Sequence, residues 1–347
     1  MIGIVGLGFM GMTHFTAAAA SRRLKCVAFA TRDARKRSGD WSMIQGNFGP
    51  RGDAATDLRG ASAYESYEEL IADPAVRLVD VCTPTPLHEE VALAAIAAGK
   101  DVLIEKPIAL DLKTADRLIA AADDAGVRLM VAHVLPFFAE WKFALETVRG
   151  GRYGKLLAGH LRRVIAPPAW LDDPAGREVG GWGVDLHIHD NHFLSLLCGS
   201  PTHVTARGQL VDGQYVSHVE SQYAFADSAA AMSCSSGAIC CKPIAFAAGY
   251  ELFLEKATLS FSAGTYGDEW VVDRPVTLAP AKGPLRQPSL KGGTEWYSPF
   301  QAELEAACES VKKGQIAPEL DARRAREALA VSLAEAKSIR TGKTVKL

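Results

Sequence analysis

Short apolar runs alternate with helical patterns over the first 134 residues of the chain. The runs are nearly continuous, which is typical of parallel strands buried on both faces. They occur at Ile2 to Val5, Leu24 to Ala30, Leu78 to Cys82, Val102 to Ile104 and Leu129 to Val131. Helical stretches at Glu89 to Ala98 and Leu112 to Ala125 lie between them, and each ends at a glycine. This order predicts a doubly wound α/β sheet that binds its ligand at the carboxyl ends of its strands.

The pattern changes beyond residue 134. Longer β-like runs follow between residues 156 and 272, and turn residues such as Asp212-Gly213 separate several of them. These runs predict a large, mostly antiparallel open sheet, followed by two helices. We expect the last helix, Ala322 to Ser338, to pack back on the first domain. The predicted domains are an α/β domain over residues 1–134 and an α+β domain over residues 135–347.

Composition narrows the function classes. The 347 residues are 48% apolar and 22% charged, as in ordinary globular proteins with real cores. With a formal net charge of -2 and a sequence pI near 6.5, the chain lacks the excess positive charge that attracts nucleic acid. We therefore do not expect nucleic acid as a partner. No apolar run is long enough to span a bilayer, and the N-terminus lacks the basic region of a signal peptide. With seven cysteines, an odd number, we expect reduced thiols in a cytoplasm.

A glycine motif follows the first strand directly. Gly6-Leu7-Gly8-Phe9-Met10-Gly11 lies between that strand and an Ala-rich helical stretch. Such glycines allow a tight turn, a close approach to pyrophosphate and close packing of helix on strand. The alternative is a glycine-rich turn that binds nothing. We expect the dinucleotide contacts to come from Gly6, Gly8, Phe9, Met10 and Gly11.

The end of the second strand bears on which dinucleotide binds. Asp or Glu at this point accepts hydrogen bonds from the ribose and repels a 2′-phosphate, whereas this chain has Thr31-Arg32-Asp33. Arg32 can pair with a 2′-phosphate, although it also fits a solvated helix start, and Asp33 can still reach the ribose. We therefore favour NADP(H), or use of both cofactors, over strict NAD(H).

A predicted loop from Gly39 to Ala63 follows this strand. It carries several glycines and a proline with little periodicity. We expect mobility to account for this loop, with a cover over the adenosine end as the alternative.

Two further strands end in residues that we expect to contact the cofactor or the substrate. After the predicted strand Leu78 to Cys82, Thr83, Pro84 and His88 stand where the nicotinamide half of the cofactor should lie. The next predicted strand, which begins at Val102, ends in Glu105-Lys106-Pro107, and both Glu105 and Lys106 are expected near the cofactor. Lys106 can hydrogen-bond a substrate hydroxyl and stabilise the alkoxide as hydride leaves, unless it is a surface lysine at a strand end.

A histidine-rich segment runs from Gly180 to His192. On one helix Asp185 and His189 are four residues apart and share a face, so the carboxylate can orient the imidazole. That imidazole can take a hydroxyl proton during alcohol oxidation. The segment also contains three histidines of a type that binds metals, His187, His189 and His192. However, the thiolate and additional carboxylate ligands of a zinc dehydrogenase do not cluster here. We expect no metal.

With these motifs in this order, the chain resembles the glucose-fructose oxidoreductase, inositol dehydrogenase and rhizopine-catabolism family (Gfo/Idh/MocA) over essentially its full length. The resemblance implies a Rossmann domain, then an open sheet that often forms the oligomer interface. It also implies NAD(P)-dependent chemistry on sugars, cyclitols and related polyols. By position, Lys106 is then the family's site lysine, with Asp185 and His189 its carboxylate and imidazole.

Two departures from the family pattern leave the substrate open. Family members often show Asn and Arg shortly after the position of His133, whereas this chain has Val134, Leu135 and Pro136. The second Asp that often follows the motif histidine is here His192. We expect both changes to face the substrate.

The predicted function is therefore a dehydrogenase or reductase acting on the CH–OH group of a sugar or polyol, as a homodimer or homotetramer. One alternative is redox-neutral glycoside cleavage or epimerisation through a transient keto-sugar, with tightly bound NAD(H). A dinucleotide sensor without catalysis is the third, which the intact Lys106, Asp185 and His189 disfavour.

Overall fold

The computed structural model describes residues 1–46, 48–167 and 180–347. It divides into two compact units. The first unit comprises residues 1–138 and 292–326, and the second comprises residues 139–291 and 327–347. Residues 168–179 of the predicted second domain lie outside the described residues, as does Asn47 of the predicted loop.

The first unit contains a six-stranded sheet in which every strand pair is parallel. The strand order is β3-β2-β1-β4-β5-β6, the dinucleotide-binding order with its reversal between β1 and β4. The prediction of a doubly wound sheet is confirmed. The strands are β1 (Ile2–Val5), β2 (Cys26–Ala30), β3 (Ser62–Tyr64), β4 (Leu78–Val81), β5 (Asp101–Glu105) and β6 (Leu129–Ala132).

Helices connect these strands, and local signals set their ends. Ser66 and Glu69 form a capping box at the start of the helix over residues 67–72. Asp111 caps the start of the helix over residues 112–125, which ends at Gly126 in the left-handed conformation. The helices of the first unit before residue 138 are α1 (Phe9–Ala20), α2 (Ala34–Arg37), α3 (Tyr67–Ala72), α4 (His88–Ala97) and α5 (Leu112–Ala125).

The predicted loop from Gly39 to Ala63 is anchored by Trp41. That ring is 1% exposed and packs edge-on against Phe15 at 4.9 Å. The last two residues of the predicted loop already belong to β3. The expectation that mobility alone explains this segment was wrong at Trp41, because its indole enters the core.

The predicted boundary at residue 134 needs a correction, because a late segment of the chain belongs to the first unit. Helix α9 (Ser298–Lys313) contributes Phe300 and Leu304 to the same core as α1. Only residues 322–326 of the last helix, α10 (Ala322–Thr341), belong to the first unit, where Arg326 pairs with Asp116 of α5 at 2.8 Å. The apolar pattern of α9 predicts a helix but does not say which core it joins.

The second unit contains an eight-stranded sheet of order β13-β12-β11-β7-β10-β9-β8-β14. Its pairs are antiparallel except for β7 with β10, which confirms the predicted, mostly antiparallel sheet. Left-handed Asp212 and Gly213 form the turn between β8 and β9. The strands are β7 (Leu156–Ile165), β8 (Pro201–Val211), β9 (Tyr215–Phe225), β10 (Ala231–Ala238), β11 (Ile244–Leu254), β12 (Ala257–Tyr266), β13 (Glu269–Pro280) and β14 (Val345–Lys346).

Three further helices belong to the second unit along with most of α10. They are α6 (Ala139–Arg149), α7 (Trp182–Asp185) and α8 (Ile188–Cys198). Within the part of the chain that the structure describes, no helix combines the length and apolar character needed to cross a membrane.

Candidate active site

The glycine turn after β1 is tightly packed at Gly6 and Gly11 and has free space at Gly8. Gly6 has a φ of +93°, and a Cβ there would lie 2.7 Å from the carbonyl oxygen of Cys82. A Cβ on Gly11 would collide with the carbonyl oxygen of Gly6, so only glycine lets α1 pack against the turn. A Cβ on Gly8 would meet no described atom within 4 Å. The turn therefore leaves space at Gly8.

Helix α1 begins at this space with no side-chain cap. Gly8 is its N-cap residue, and the first turn carries no acidic residue. Unpaired N–H groups at a helix start, together with the helix dipole, favour a phosphate. Phe9 and Met10 follow and are half-buried, with the Phe9 ring edge-on to Phe48 at 4.6 Å. These residues fit the pyrophosphate of a dinucleotide.

A polar atom at the end of β4 adds to the fit. The backbone nitrogen of Thr83 lies next to Gly6, since a Cβ on Gly6 would be 2.9 Å from it. The hydroxyl oxygen of Thr83 is buried and has no hydrogen-bond partner among the described residues. A buried hydroxyl without a partner costs free energy that a polar ligand group can recover. Pro84 follows and is exposed.

His88 is fixed by the protein itself. Its ring is 1% exposed, with Nδ1 3.0 Å from the carbonyl oxygen of Pro107 and Nε2 2.9 Å from that of Thr83. Burial lowers the pKa of His88, although the two carbonyl groups act in the opposite direction. In the structure His88 therefore ties the ends of β4 and β5 together, and its predicted cofactor contact stays a prediction.

The end of β2 carries more cationic groups than the sequence motif suggested. Thr31 and Asp33 are half-buried, and Arg32 is exposed. Asp33 caps α2 by accepting from the backbone N–H of Arg35 at 2.9 Å, so one of its oxygens is already engaged. Lys36 donates from Nζ to the carbonyl oxygen of Leu7 at 2.8 Å, which brings an ammonium group to the glycine turn.

Lys106 directly follows the last residue of β5. Glu105 is 8% exposed, and its Oε2 accepts from the backbone N–H of Lys106 at 3.1 Å. Lys106 is half-buried, and the peptide bond to Pro107 is cis. The carbonyl oxygen of Pro107 is the one that faces the His88 ring at 3.0 Å. The backbone around Lys106 is thus held by two side chains, the Glu105 carboxylate before it and the His88 ring after it.

The prediction of a single helix for Asp185 and His189 was wrong. Helix α7 ends at Asp185 and α8 begins at Ile188, although Leu186 and His187 keep right-handed dihedral angles. Asp190 donates its backbone N–H to His187 and not to Leu186, which breaks the regular bonding pattern. Asp185 and His189 are both half-buried, whereas His187 is fully buried.

The structure groups the predicted site residues in two sets. The glycine turn, Thr31, Arg32, Thr83, Pro84, His88, Glu105 and Lys106 belong to the first unit. Asp185 and His189 belong to the second.

Residues 1–133 match the model of an oxidoreductase family with an NAD-binding Rossmann fold. Over these residues the chain is similar to the Rossmann domain of the Gfo/Idh/MocA family. The 1,5-anhydro-D-fructose reductase of Ensifer adhaerens is 36% identical over 164 residues, which are 46% of this chain and 49% of the relative. The myo-inositol 2-dehydrogenase of Thermotoga maritima is 31% identical over 206 residues, 57% and 54% of the two chains. The chain thus matches about half the length of these curated relatives.

A solved structure extends the likeness to the whole chain at the level of the fold. The crystal structure of a probable dehydrogenase from Thermotoga maritima superposes with a TM-score of 0.79 at 24% identity. The match covers 99% of this chain and 98% of that one. The likeness in fold therefore extends over both units of the chain.

The departures from the Gfo/Idh/MocA pattern are mostly buried. Leu135 is 3% exposed, Pro136 is buried, Val134 is half-buried and His192 is 0% exposed. Leu135, Pro136 and His192 are thus closed to solvent, and the expectation that these residues face the substrate stays a prediction.

Two buried polar networks were not predicted. In the second unit His187 meets Tyr223 and Glu335, and in the first unit His14 meets Asp80. Their members come from elements far apart in the chain. Among the described residues, those whose donor atoms lie close enough for a metal are His14, Asp80 and Cys82, not the histidines between residues 187 and 192.

Proposed function

We propose that this protein is an NAD(P)-dependent oxidoreductase that transfers hydride between nicotinamide and the CH–OH group of a sugar, cyclitol or related polyol. One observation carries the proposal. The glycine turn admits only glycine at Gly6 and Gly11, yet it leaves open space at Gly8, and the hydroxyl of Thr83, whose backbone nitrogen lies next to Gly6, has no partner among the described residues. The names of two relatives support the substrate class, since one is a reductase of an anhydro-sugar and one a dehydrogenase of a cyclitol.

The residues of the first unit hold the cofactor. A bound nicotinamide supplies the hydride acceptor or donor. The pyrophosphate binds at the start of α1, over Gly8, and the hydroxyl of Thr83 gains the partner it lacks among the described residues. The residues proposed for this role are Gly6, Gly8, Phe9, Met10, Gly11, Thr31, Arg32, Thr83, Pro84, His88, Glu105 and Lys106.

Three side chains act on the substrate in this proposal. Lys106 donates a hydrogen bond to the reacting oxygen and stabilises its negative charge. His189 accepts the hydroxyl proton during oxidation and returns it during reduction. Asp185 orients the imidazole of His189 and favours its protonated form. The half-burial of all three side chains leaves part of each accessible, which these roles require.

NADP(H) is the preferred cofactor in this proposal. Thr31 carries no charge that repels a 2′-phosphate, and Arg32 is exposed beside it. One oxygen of Asp33 is engaged in capping α2, which leaves a single carboxylate oxygen for the ribose. Lys36 adds a cation at the glycine turn. The charge at the end of β2 is therefore complementary to a phosphate.

We also propose that the protein acts as a homodimer or homotetramer in the cytoplasm. Large apolar side chains are exposed on the eight-stranded sheet, among them Leu157 at 51%, Phe253 at 43% and Trp270 at 59%. Exposed apolar side chains of this kind are stabilised when a second copy covers them. All seven cysteines carry free thiols, which fits a reducing compartment.

Net turnover of the cofactor tests the proposed function. Protein is mixed with NADP⁺ or NAD⁺ and a panel of sugars, cyclitols and polyols, and the absorbance of reduced nicotinamide is followed. The reverse reaction uses the corresponding keto compounds. We expect substrate-dependent reduction of the cofactor that Gly8→Ala weakens through cofactor binding and Lys106→Ala weakens through turnover. Conversion of a substrate without net reduction would show redox-neutral chemistry, and absence of dinucleotide binding would overturn the proposal.

A further inference from the structure

His14 of α1 lies at the centre of a buried polar cluster in the first unit. Its Nδ1 is 2.8 Å from Oδ2 of Asp80 and 3.5 Å from the sulfur of Cys82. Its Nε2 is 3.1 Å from Oε1 of Glu105 and 3.9 Å from Oε2 of Glu303. His14, Asp80 and Glu303 are each 0% exposed. The cluster thus joins α1, β4, β5 and α9.

The ionisable groups of this cluster are arranged around His14. Burial alone would lower the pKa of His14, but the charges and hydrogen bonds of Asp80 and Cys82 together outweigh it and hold that pKa well above its ordinary value. Burial raises the pKa of Glu303 well above its ordinary value, which favours the neutral carboxyl. Burial also raises the pKa of the Cys82 thiol. The imidazolium of His14 therefore stands between the carboxylates of Asp80 and Glu105.

A shared proton fits these distances better than a metal. The donor atoms of His14, Asp80 and Cys82 all lie within 4.8 Å of one another. Two nitrogen or oxygen ligands on one tetrahedral zinc, with bonds of about 2.0 Å, stand about 3.3 Å apart. Nδ1 of His14 and Oδ2 of Asp80 are only 2.8 Å apart, which is a hydrogen-bond distance.

The same cluster reaches Lys106 through Glu105. One carboxyl oxygen of Glu105 contacts Nε2 of His14, and the other accepts the backbone N–H of Lys106 at 3.1 Å. The N–H of His14 does not point along the 3.1 Å line to Glu105, so that contact is an ion pair and not an aligned hydrogen bond. An ion pair in a buried site is little screened, so it restrains Glu105 strongly.

We propose that His14 is a positioning residue that holds Glu105, and through it the backbone of Lys106, in place relative to the helix that begins at the glycine turn. This inference rests on the proposed function of Lys106. His14 touches neither substrate nor cofactor. Its effect reaches the reaction only through the geometry at the end of β5.

The first test reads the charge of His14 in the wild-type protein and needs no activity. Nitrogen-15 NMR of histidine-labelled protein distinguishes a doubly protonated ring from a neutral one. At about pH 8, above the ordinary histidine pKa of about 6.5, we expect both ring nitrogens of His14 to carry protons. A neutral ring at that pH would overturn the proposal, and so would stoichiometric zinc that His14→Gln abolishes.

The second test separates positioning from a purely structural role. His14→Gln leaves two buried carboxylates without their cation, and we expect lower stability and a kcat reduced about 10²-fold with little change in KM. His14→Gln combined with Asp80→Asn removes one of those charges but leaves Glu105 unpaired. We expect the double variant to regain stability and not kcat. Joint recovery of stability and kcat would overturn the proposal, with Asp80→Asn alone as the control.

The two tests also separate this inference from the proposed function. If no polyol is turned over, the proposed function fails, and the NMR result still decides whether His14 is charged. If turnover is found and His14 is neutral, only this inference fails.

Discussion

His187 Nε2 lies 3.0 Å from Oε1 of Glu335, although 148 positions of sequence separate the two residues. Both side chains are buried, and the hydroxyl of Tyr223 lies 3.1 Å from the same His187 nitrogen. Burial alone would lower the pKa of His187, but the charges of Glu335 and Asp190 outweigh it and raise that pKa to about 9. This pair fixes the segment between α7 and α8, and so the positions from which Asp185 and His189 extend.

The first prediction is a pH dependence of stability. Unfolded His187 loses its proton near the ordinary pKa of about 6.5, whereas folded His187 keeps it until about pH 9. The folded state therefore binds more protons between these values, and the contribution of His187 to stability, complete below about pH 6.5, is lost as the pH rises to about 9. Urea unfolding across this range should show the loss.

A variant isolates the share of His187, because His14 also has a raised pKa. His187→Gln should flatten part of the pH dependence, while His203→Gln, at an exposed histidine of the same unit, should leave it unchanged. An unchanged pH dependence in His187→Gln would contradict the assigned charge.

The second prediction concerns the buried pair of Arg163 and Asp190. Nε of Arg163 lies 3.1 Å from Oδ2 of Asp190, and the guanidinium stacks over the Trp141 ring at 5.3 Å. Arg163→Met removes the cation and leaves a buried carboxylate, at an expected cost of about 3–5 kcal/mol in the free energy of unfolding.

An exposed arginine provides the matched control for this loss. Arg274 pairs with Glu251 at 3.0 Å with both side chains more than half exposed, so Arg274→Met should cost about 0–1 kcal/mol. Equal losses in the two variants, measured by denaturant unfolding, would refute the special cost of the Arg163 site.

The third prediction separates the roles of two glycines. Gly8→Ala places its methyl group in open space, so the unfolding midpoint should hold while dinucleotide affinity falls. Gly11→Ala drives a methyl group into the backbone of the turn, so stability itself should fall. Calorimetric unfolding and cofactor titration read the two effects. Full dinucleotide affinity in a folded Gly8→Ala protein would place the pyrophosphate elsewhere.

The fourth prediction concerns the choice of cofactor. We expect NADP(H) to bind at least as tightly as NAD(H), and Arg32→Ala and Lys36→Ala to weaken NADP(H) more than NAD(H), because only NADP(H) carries the 2′-phosphate. Fluorescence titration of both cofactors measures this. A tenfold preference of the wild-type protein for NAD(H), about 1.4 kcal/mol, would reverse the assignment.

The elements that the sequence predicts well are those with local causes. The glycine turn directly follows a short apolar run, and β4 and β5 are short apolar runs that end close to a proline. Each of these patterns predicts one local structure. The break at residues 186–187 was missed because the spacing of Asp185 and His189 fits a continuous helix equally well. Residues with distant partners were also missed. Glu303 and Glu335 lie on amphipathic helices, where a carboxylate is expected to be solvated, yet they are 0% and 2% exposed.

Lys36 shows the same limit on the surface. Its position in a short basic helix suggests a solvated cation, and only the fold reveals that its ammonium returns to Leu7 in the glycine turn. A long side chain can end several residues away from its own Cα, so sequence spacing does not locate its charge.

The most direct test of the account compares steady-state kinetics of wild type, Lys106→Ala and His189→Ala on a substrate identified by net cofactor reduction. Each substitution should lower kcat by roughly 10² to 10⁴ with little change in cofactor affinity, and the double variant should lose much less than the product of the two effects. Asp185→Asn should lower kcat less and shift the pH profile downward. Full turnover by Lys106→Ala would contradict the central claim that Lys106 acts on the reacting oxygen.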